Sequence, residues 1–487
     1  MIGLHQQPFR RRDENREEDI VTKPVIISSD EPVQIGADDL SEPLTYPVDA
    51  FLSREYLARE KDRLWPKVWQ HAGRVEELKE IGDYITYEVG DESIVIFKTA
   101  ADQLKAYHNA CPHRGRRLID TPCGRQNACG NKHRIVCGFH GWTFNLEGEN
   151  TFILDKEDWK GALDEERTSL NQVKVDTWGG WIWINMDPDA VPLLDYLGEA
   201  ARILAPFEFE KMRYKWRQWV IFDCNWKTAI EAFMEPYHVA GTHTQMLTNA
   251  QYYSYSRAHG LHGVSGFDER DPALKMNQSS TVTRAGKGAD ARISTHSLQN
   301  EIYTTLNRAG TTETLVNAAK RLVDELAEET PADEVIKHWL ASARADDAAR
   351  GVIWPEITPE QVAQAGLAWS IFPNMGIMQG VTFALCYRVR PYGDDPDKCV
   401  FESFAIERFP AGQEPNTEWV YAEPTLENWG LVLSQDFSNM AAVQKGLKSR
   451  GFRGCLPNPH QERKVSNFHR NLAQVVGRGS PQLLTQP

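Results

Sequence analysis

Residues 111–142, CPHRGRRLIDTPCGRQNACGNKHRIVCGFHGW, contain four cysteines and three histidines. Cys-x-His opens the stretch, and Cys-x-x-His lies close to its end. Each short gap puts one cysteine and one histidine on the same tight loop, and two such loops can hold one metal centre between them. Three further candidates, Cys123, Cys129 and His133, lie between the pairs and could belong to the same site, to another site or to none.

The two outer pairs form a four-residue candidate ligand set: Cys111, His113, Cys137 and His140. Such a set suits zinc, and it also suits a Rieske [2Fe-2S] cluster, in which two thiolates bind one iron and two imidazoles bind the other. The loops CPHRG and CGFHGW resemble those of Rieske proteins, whereas a zinc finger needs a longer His-x₃₋₅-His spacing. Rieske proteins of the cytochrome bc type add one cysteine to each loop, and those positions are Arg116 and Phe139 here. The resemblance is therefore to the oxygenase branch, and it implies that the outer pairs hold the cluster.

The residues between the two pairs look like an insertion at a loop tip. The linker is longer than is typical of Rieske proteins, and a second metal site would need a fourth ligand that the local sequence lacks. We expect Cys123 and Cys129 to be exposed thiols without a metal.

Composition limits the classes of function. The chain has 487 residues and a formal net charge of −14, and it contains no long basic run, which argues against nucleic-acid binding. No stretch of about 18 apolar residues predicts a membrane span, and the first residues lack the apolar region of a secretory signal. We therefore expect a cytoplasmic protein whose cysteines are reduced unless they bind metal.

Pattern changes along the chain predict three regions and an α+β fold. Residues 1–45 are polar and read as an N-terminal arm. Residues 46–188 begin with a helix capped by Ser53 and continue as short alternating strands around the two metal-binding pairs. Residues 189–487 mix antiparallel strands with helices, including a helical insertion at about 296–350.

A second group of candidate ligands lies in NWKTAIEAFMEPYHVAGTH, residues 225–243. His238 and His243 are five residues apart, and a helix that loosens near Gly241 could aim both imidazoles at one point. Two histidines and a carboxylate form the ligand set of non-haem Fe(II) oxygenases, which leaves positions open for O₂ and substrate. Taken alone, the histidine pair could equally be a coincidence of the surface.

This stretch resembles the catalytic helix of the Rieske non-haem iron oxygenases, the ring-hydroxylating α-subunit family. The resemblance covers about residues 50–470 and implies an all-β Rieske domain joined to a helix-grip-like catalytic domain. It also implies that His238, His243 and Asp436 bind a mononuclear Fe(II). An aspartate such as Asp436 is also a common helix N-cap, but the matching Gln444 and Gly446 downstream favour a ligand.

Glu235 occupies the position at which the family places a bridging acid. By that resemblance it hydrogen-bonds an iron-ligand histidine and a cluster-ligand histidine, here His140, of a neighbouring subunit. Ring-dihydroxylating members usually have Asp there, while Glu resembles members that oxidise non-aromatic or bulkier substrates. Ala232 also departs from the Asn or Asp that is frequent in the family.

The resemblance implies a terminal oxygenase that uses O₂ and electrons from a separate NAD(P)H-dependent reductase, with or without a ferredoxin. A homotrimer is the expected minimum, and a β-subunit or a dimer of trimers is compatible with it. We expect hydroxylation of an aromatic or other hydrophobic substrate in an apolar pocket near Phe233, Met234, residues 245–300 and the strand at 375–379. Oxidative demethylation or monooxygenation of a non-aromatic substrate is the alternative. A Rieske electron carrier without oxygenase activity and a zinc-binding interaction module are weaker alternatives.

Overall fold

The structure is a computed structural model and describes residues 38–248, 253–267 and 290–484. Of the expected N-terminal arm, residues 1–37 lie outside the described residues. Within the described ranges, no helix is both long enough and apolar enough to cross a membrane.

The first part of the chain is dominated by short antiparallel strands. They are Leu44–Thr45 (β1), Gln70–Arg74 (β2), Asp83–Val89 (β3), Glu92–Ala100 (β4), Gln103–His108 (β5), Cys129–Asn131 (β6), Ile135–Val136 (β7), Thr143–Phe144 (β8), Asn150–Phe152 (β9), Gln172–Trp178 (β10) and Trp181–Asn185 (β11). The helices of this part are Asp49–Leu52 (α1), Arg54–Arg63 (α2), Glu165–Thr168 (α3), Leu193–Leu197 (α4) and Glu199–Leu204 (α5). Ser53 caps α2, as predicted, by accepting a hydrogen bond from the Tyr56 amide.

These strands form a seven-stranded sheet in the order β2-β11-β10-β5-β4-β3-β6 and a three-stranded sheet in the order β7-β8-β9. Strand β4 is buried on both faces, and side chains alternate between the faces of a strand. Ile94 and Ile96 therefore join the large core shared with the second part of the chain. Val95 and Phe97 face the opposite way, into a core that also contains Cys111 and Cys137.

The second part of the chain is built on longer strands and helices. Its strands are Arg213–Phe222 (β12), Ser254–His259 (β13), His262–Phe267 (β14), Ala368–Ile371 (β15), Met375–Gln379 (β16), Phe383–Tyr392 (β17), Asp395–Glu407 (β18), Val420–Tyr421 (β19) and Gln482–Leu483 (β20). Its helices are Trp226–Glu231 (α6), Val239–Thr242 (α7), Ala291–Thr305 (α8), Glu313–Glu325 (α9), Ala332–Ala349 (α10), Pro359–Ala365 (α11), Leu426–Gly446 (α12) and Arg463–Val476 (α13). An eight-stranded sheet runs β13-β14-β15-β16-β17-β18-β12-β19, and β1 pairs with β20.

The two parts pack on each other through buried charges as well as apolar side chains. Glu402 on β18 binds the guanidinium groups of Arg388 (2.5 Å) and Arg390 (2.9 Å) on β17. The same carboxylate accepts a hydrogen bond from Gln126, which lies between the two predicted metal-binding loops. Arg388 also donates to the backbone carbonyl of His71 on β2 (3.0 Å), so the network joins both sheets.

Candidate metal centres

Two loops with the same hydrogen-bonding pattern carry the first predicted ligand set. The Cys111 amide donates to the Arg116 carbonyl and the Gly115 amide donates to the Cys111 carbonyl, both over 2.8 Å. Residues 137–142 repeat this pattern over 2.8 and 3.0 Å. Gly115 and Gly141, the fifth residue of each loop, have φ values of +72° and +73°. Glycine adopts this left-handed conformation at little cost, so the spacing of each motif also fixes the shape of its loop.

The side chains of the four predicted ligands converge between these loops. The thiols of Cys111 and Cys137 are buried and interact with each other, and burial raises the pKa of the Cys111 thiol to about 11. The rings of His113 and His140 lie 4.5 Å apart between centroids. Nδ1 of His140 is buried without a hydrogen-bond partner among the described residues. Two adjacent thiols and an inward-facing ring nitrogen without a partner fit a [2Fe-2S] cluster of the Rieske type.

The imidazole side of this centre lies at the surface, whereas the thiol side faces the core. The indole ring of Trp142 stacks on His113 with centroids 4.9 Å apart and an interplanar angle of 5°. Both histidines line a surface recess of about 300 Å³ together with Leu154 and Trp159. Trp142 was not singled out from the sequence, although it is the last residue of the CGFHGW loop. Its ring fixes the orientation of His113.

The residues between the two pairs are attached to the sheet and do not form a free loop tip. Cys129 lies in β6, which pairs with β3 at the edge of the seven-stranded sheet. Ala128 is buried, and its amide donates to Thr86 Oγ1 (2.8 Å). Cys123, Cys129 and His133 are nevertheless exposed, as expected for the two thiols.

The second predicted ligand set meets between α7 and α12. His238 and His243 flank the single turn of α7, which explains how residues five apart can face one point. Their Nε2 atoms lie 3.5 and 3.0 Å from Oδ1 of Asp436. One potential ligand atom from each of the three residues lies within 4.8 Å of the others, so this group could hold a metal ion. Asp436 lies inside α12, whose N-cap is Thr425, and the N-cap alternative for Asp436 is therefore wrong.

Each of the two histidines in this triad donates a hydrogen bond from Nδ1, the nitrogen that faces away from Asp436, to a different acceptor. Nδ1 of His238 donates to Glu235 (2.9 Å), and Nδ1 of His243 donates to the amide oxygen of Gln435 (2.8 Å). Both contacts leave Nε2 free to face a metal. Burial lowers the pKa of His238, but the hydrogen bond and charge of Glu235 outweigh it and raise this pKa to about 9. No sequence pattern singled out Gln435, which directly precedes Asp436.

Hydrogen bonds between α6 and α12 hold the triad in place. Asn225 caps α6 by accepting from the Lys227 amide (3.0 Å). Oε1 of Gln444 on α12 accepts from the Asn225 amide and from the Thr228 hydroxyl, both over 3.0 Å. Gln444, whose presence in the sequence favoured Asp436 as a ligand, therefore joins α12, which carries Asp436, to α6, which precedes the two histidines.

A cavity of about 210 Å³ adjoins the triad and is lined by His238, Asp436 and several further carboxylates. Those carboxylates belong to Glu231, Glu235 and Glu462. Burial, together with the charges of Glu235 and Glu231, raises the pKa of Glu462 to about 7.

This cavity is not lined by the residues that were expected to form an apolar pocket. Met234 is buried in the core, and Phe233 stacks on Tyr387 with centroids 4.0 Å apart. Neither of them lines the cavity, nor does the strand at 375–379. Of the stretch 245–300, residues 249–252 and 268–289 lie outside the described residues.

Both parts of the chain match known protein families. Residues 68–155 match the Rieske [2Fe-2S] domain, and residues 207–478 match the catalytic domain of the ring-hydroxylating α-subunit. A carnitine monooxygenase oxygenase subunit from Escherichia coli K12 is 30% identical over 224 residues, which cover 46% of this chain and 58% of that protein. A glycine betaine monooxygenase oxygenase subunit from Chromohalobacter salexigens is 28% identical over 192 residues, 39% of this chain and 41% of that protein. The matches thus span about half the length of these curated relatives.

Solved structures share the fold over a larger part of the chain. The quaternary ammonium Rieske monooxygenase CntA, in complex with L-carnitine, is 19% identical with a TM-score of 0.59. That alignment covers 91% of this chain and 99% of the other. Naphthalene 1,2-dioxygenase from Rhodococcus sp., bound to indole, is 17% identical with a TM-score of 0.56 over 89% of this chain and 94% of the other.

Proposed function

This chain belongs to the ring-hydroxylating α-subunit family of Rieske non-haem iron oxygenases, and from that premise we propose that it monooxygenates a small cationic, non-aromatic substrate. The cofactors of the family's two domains are a Rieske [2Fe-2S] cluster and a mononuclear iron. From the sequence we expected an aromatic or other hydrophobic substrate, with a non-aromatic substrate as the alternative. We now propose the non-aromatic alternative and, within it, a quaternary ammonium compound.

The observation that carries this proposal is the acidic cavity beside the triad. Glu231, Glu235 and Glu462 line it together with Asp436, and Glu231 also accepts a hydrogen bond from His469 (2.6 Å). Carboxylates attract a cation, and a bound cation favours their ionised form. The names of the carnitine and glycine betaine monooxygenase relatives support the same class of substrate.

The proposed ligands divide between the two centres. Cys111, His113, Cys137 and His140 hold the cluster, and His238, His243 and Asp436 hold the iron. When bound, the cofactors supply electron storage and the activation of O₂. The protein fixes the tautomer of each iron-ligand histidine through Glu235 and Gln435. The cavity carboxylates orient the cation so that a carbon next to its nitrogen faces the triad.

Hydroxylation of such a carbon consumes one O₂, two electrons and two protons, and it releases one water. The hydroxylated carbon then loses its bond to nitrogen, which yields a tertiary amine, an aldehyde and a proton. The electrons come from a separate NAD(P)H-dependent reductase, directly or through a ferredoxin.

We further propose that the functional unit is a homotrimer or a multiple of trimers. The imidazole edge of the cluster centre is open to the surface, and Phe139 beside it is 55% exposed, although it is a large apolar side chain. A neighbouring subunit that covers this edge could bring its Glu235 to His140, as the family resemblance implies.

A substrate screen with a surrogate reductase tests the proposed activity. Carnitine, glycine betaine and choline would be compared with aromatic hydrocarbons and with 3,3-dimethylbutanol, the uncharged carbon isostere of choline. We expect O₂ consumption coupled to the formation of a tertiary amine and an aldehyde from at least one cation and from none of the uncharged compounds. Turnover of aromatic compounds with no turnover of cations would contradict the proposal.

A further inference from the structure

We propose that Tyr46 and Cys455, which meet in the wall of the cavity beside the triad, become joined by a thioether bond when the iron-loaded protein meets O₂. The bond would link the sulfur of Cys455 to the ring carbon of Tyr46 next to the carbon that carries the hydroxyl. The inference rests on the proposed iron ligands, because the bound iron supplies the activation of O₂, but it requires no organic substrate.

The backbone places the two side chains next to each other. Tyr46 and Cys455 form an isolated antiparallel bridge, in which the Tyr46 amide donates to the Cys455 carbonyl (3.3 Å) and the Cys455 amide donates to the Tyr46 carbonyl (3.0 Å). Residues directly opposite each other in such a pair have Cβ atoms about 4.5–5.5 Å apart on the same face. The Cys455 thiol accordingly interacts with the Tyr46 hydroxyl.

The pair shares one small cavity with two of the proposed iron ligands. Tyr46 and Cys455 line the same cavity of about 210 Å³ as His238 and Asp436. The Tyr46 side chain is almost fully buried, so bulk solvent hardly reaches it. O₂ that is activated in this cavity therefore acts close to the phenol and the thiol.

His469 and Glu231 hold the phenol ring and provide a proton acceptor. The His469 ring stacks on Tyr46 with centroids 4.0 Å apart and an interplanar angle of 17°, and its Nε2 lies 2.6 Å from Oε1 of Glu231. Oε2 of Glu231 accepts a hydrogen bond from the Tyr46 hydroxyl (3.5 Å). Oxidation of a phenol releases its proton, so a carboxylate at this position assists the reaction as a general base.

Burial keeps both groups protonated until oxidation occurs. It raises the pKa of the Cys455 thiol, and the charge of Glu231 adds to this effect. Burial and the charge of Glu231 also raise the pKa of the Tyr46 hydroxyl well above its ordinary value. Since the thiolate is the form that attacks disulfides, Cys455 is a poor partner for disulfide exchange. Oxidative coupling to the neighbouring phenol does not require the thiolate.

The reaction removes two hydrogen atoms from the protein. The S–H bond of Cys455 and one ring C–H bond of Tyr46 break, and one C–S bond forms. The two electrons and two protons that are released reduce one O₂ to hydrogen peroxide. The phenol hydroxyl is retained, because the proton that Glu231 accepts during oxidation returns to it after coupling.

Peptide mass spectrometry tests the proposal. The holoprotein is reduced, freed of reductant, exposed to O₂ without organic substrate, and then denatured, treated with dithiothreitol to open disulfides and digested. The test variants are Tyr46→Phe and Cys455→Ser, each of which removes one of the two reacting groups. Tyr84 and Cys129 are the internal control, since burial and the nearby Cys129 thiol raise the pKa of Tyr84 but neither residue lines the cavity.

We expect a linked peptide pair that lacks two hydrogens in most of the iron-loaded wild-type chains and in neither single variant. His243→Ala, which removes a proposed iron ligand, should keep its cluster and leave the pair unlinked. An unlinked pair in wild-type protein whose measured iron content shows a loaded mononuclear site would overturn the proposal. Equal linking in His243→Ala, or linking of Tyr84 to Cys129, would also overturn it. The readout is a covalent mass and not turnover, so this result and that of the substrate screen can fail independently.

Discussion

The two histidines of the proposed iron site differ in the group that accepts a hydrogen bond from their second ring nitrogen. His238 donates to the carboxylate of Glu235, whereas His243 donates to the neutral amide of Gln435. A carboxylate makes the opposite ring nitrogen a stronger donor to metal than an amide does. The two sides of the centre therefore have different electronic character, and the two contacts can be tested separately.

Replacement of Glu235 by Gln should leave both metal centres loaded but slow the electron transfer between them. The amide keeps the size of the side chain and removes the charge that would join His238 to a cluster histidine of another subunit. Single-turnover oxidation of the cluster in the presence of O₂ and substrate measures this step. A rate equal to that of the wild type would show that Glu235 does not bridge the centres.

Replacement of Gln435 by Met should weaken iron binding at the mononuclear site by about 10- to 100-fold, because His243 loses the acceptor that orients its ring. Titration of the iron-depleted protein with Fe(II) measures the affinity. Asn439→Ala is the control, since Asn439 lies on the same helix and its side chain hydrogen-bonds only Thr242 among the described residues. If both variants bind iron equally, Gln435 does not orient His243.

Motif spacing predicted which side chains meet when the residues are close in sequence, but it did so less well for residues that are far apart. Both cluster loops and the histidine pair are local, and each set of side chains converges as expected. Glu231 and Glu462 were not predicted as cavity residues, because one lies on α6 and the other just before α13. Only the packing of these helices brings the two carboxylates together.

At the scale of elements, the insertion between the cluster loops is held by the sheet edge and by the second part of the chain. Strand β6 pairs with β3, and Gln126 bonds Glu402 on β18. The prediction that the insertion lies at a loop tip is thus only partly right. The three residues CGN of β6 cannot be recognised as a strand from the sequence, because only their pairing with β3 makes them one.

The double replacement Cys123→Ser/Cys129→Ser should leave the cluster intact, because both thiols are exposed and the predicted ligands lie on the two flanking loops. Iron and labile sulfide, measured per chain, should match the wild type. Cys137→Ser is the opposing control and should abolish the cluster. Loss of sulfide from the double variant would assign a central cysteine to the cluster.

At the scale of the whole molecule, buried charges join the two parts of the chain. The side chain of Glu402 is fully buried and pairs with two arginines. Glu418, which pairs with Arg125 in the insertion between the two cluster loops, is 74% exposed. Desolvation raises the pKa of Glu402, but the charges of Arg388 and Arg390 outweigh this effect and lower it below the ordinary value. A fold-class prediction from strand and helix patterns contains no information about such a network, although the predicted α+β class is confirmed.

Glu402→Gln should destabilise the protein by about 3–5 kcal/mol, because two buried arginines lose their counter-charge. Glu418→Gln should cost at most about 1 kcal/mol, since an exposed pair is screened by solvent. Denaturant unfolding of the two variants compares these costs directly. Equal stabilities would show that the buried network does not hold the two parts together.

We propose that Cys111, His113, Cys137 and His140 hold a Rieske cluster, and an EPR spectrum of the dithionite-reduced protein, with pulsed detection of nitrogen couplings, tests this ligand set most directly. We expect a rhombic signal with an average g below that of all-cysteine clusters and with couplings from two histidine nitrogens. Loss of one of the two nitrogen couplings in the His113→Cys variant, with the other retained, would support the assignment. A wild-type signal of the all-cysteine type without nitrogen couplings, or a colourless protein containing zinc, would contradict it.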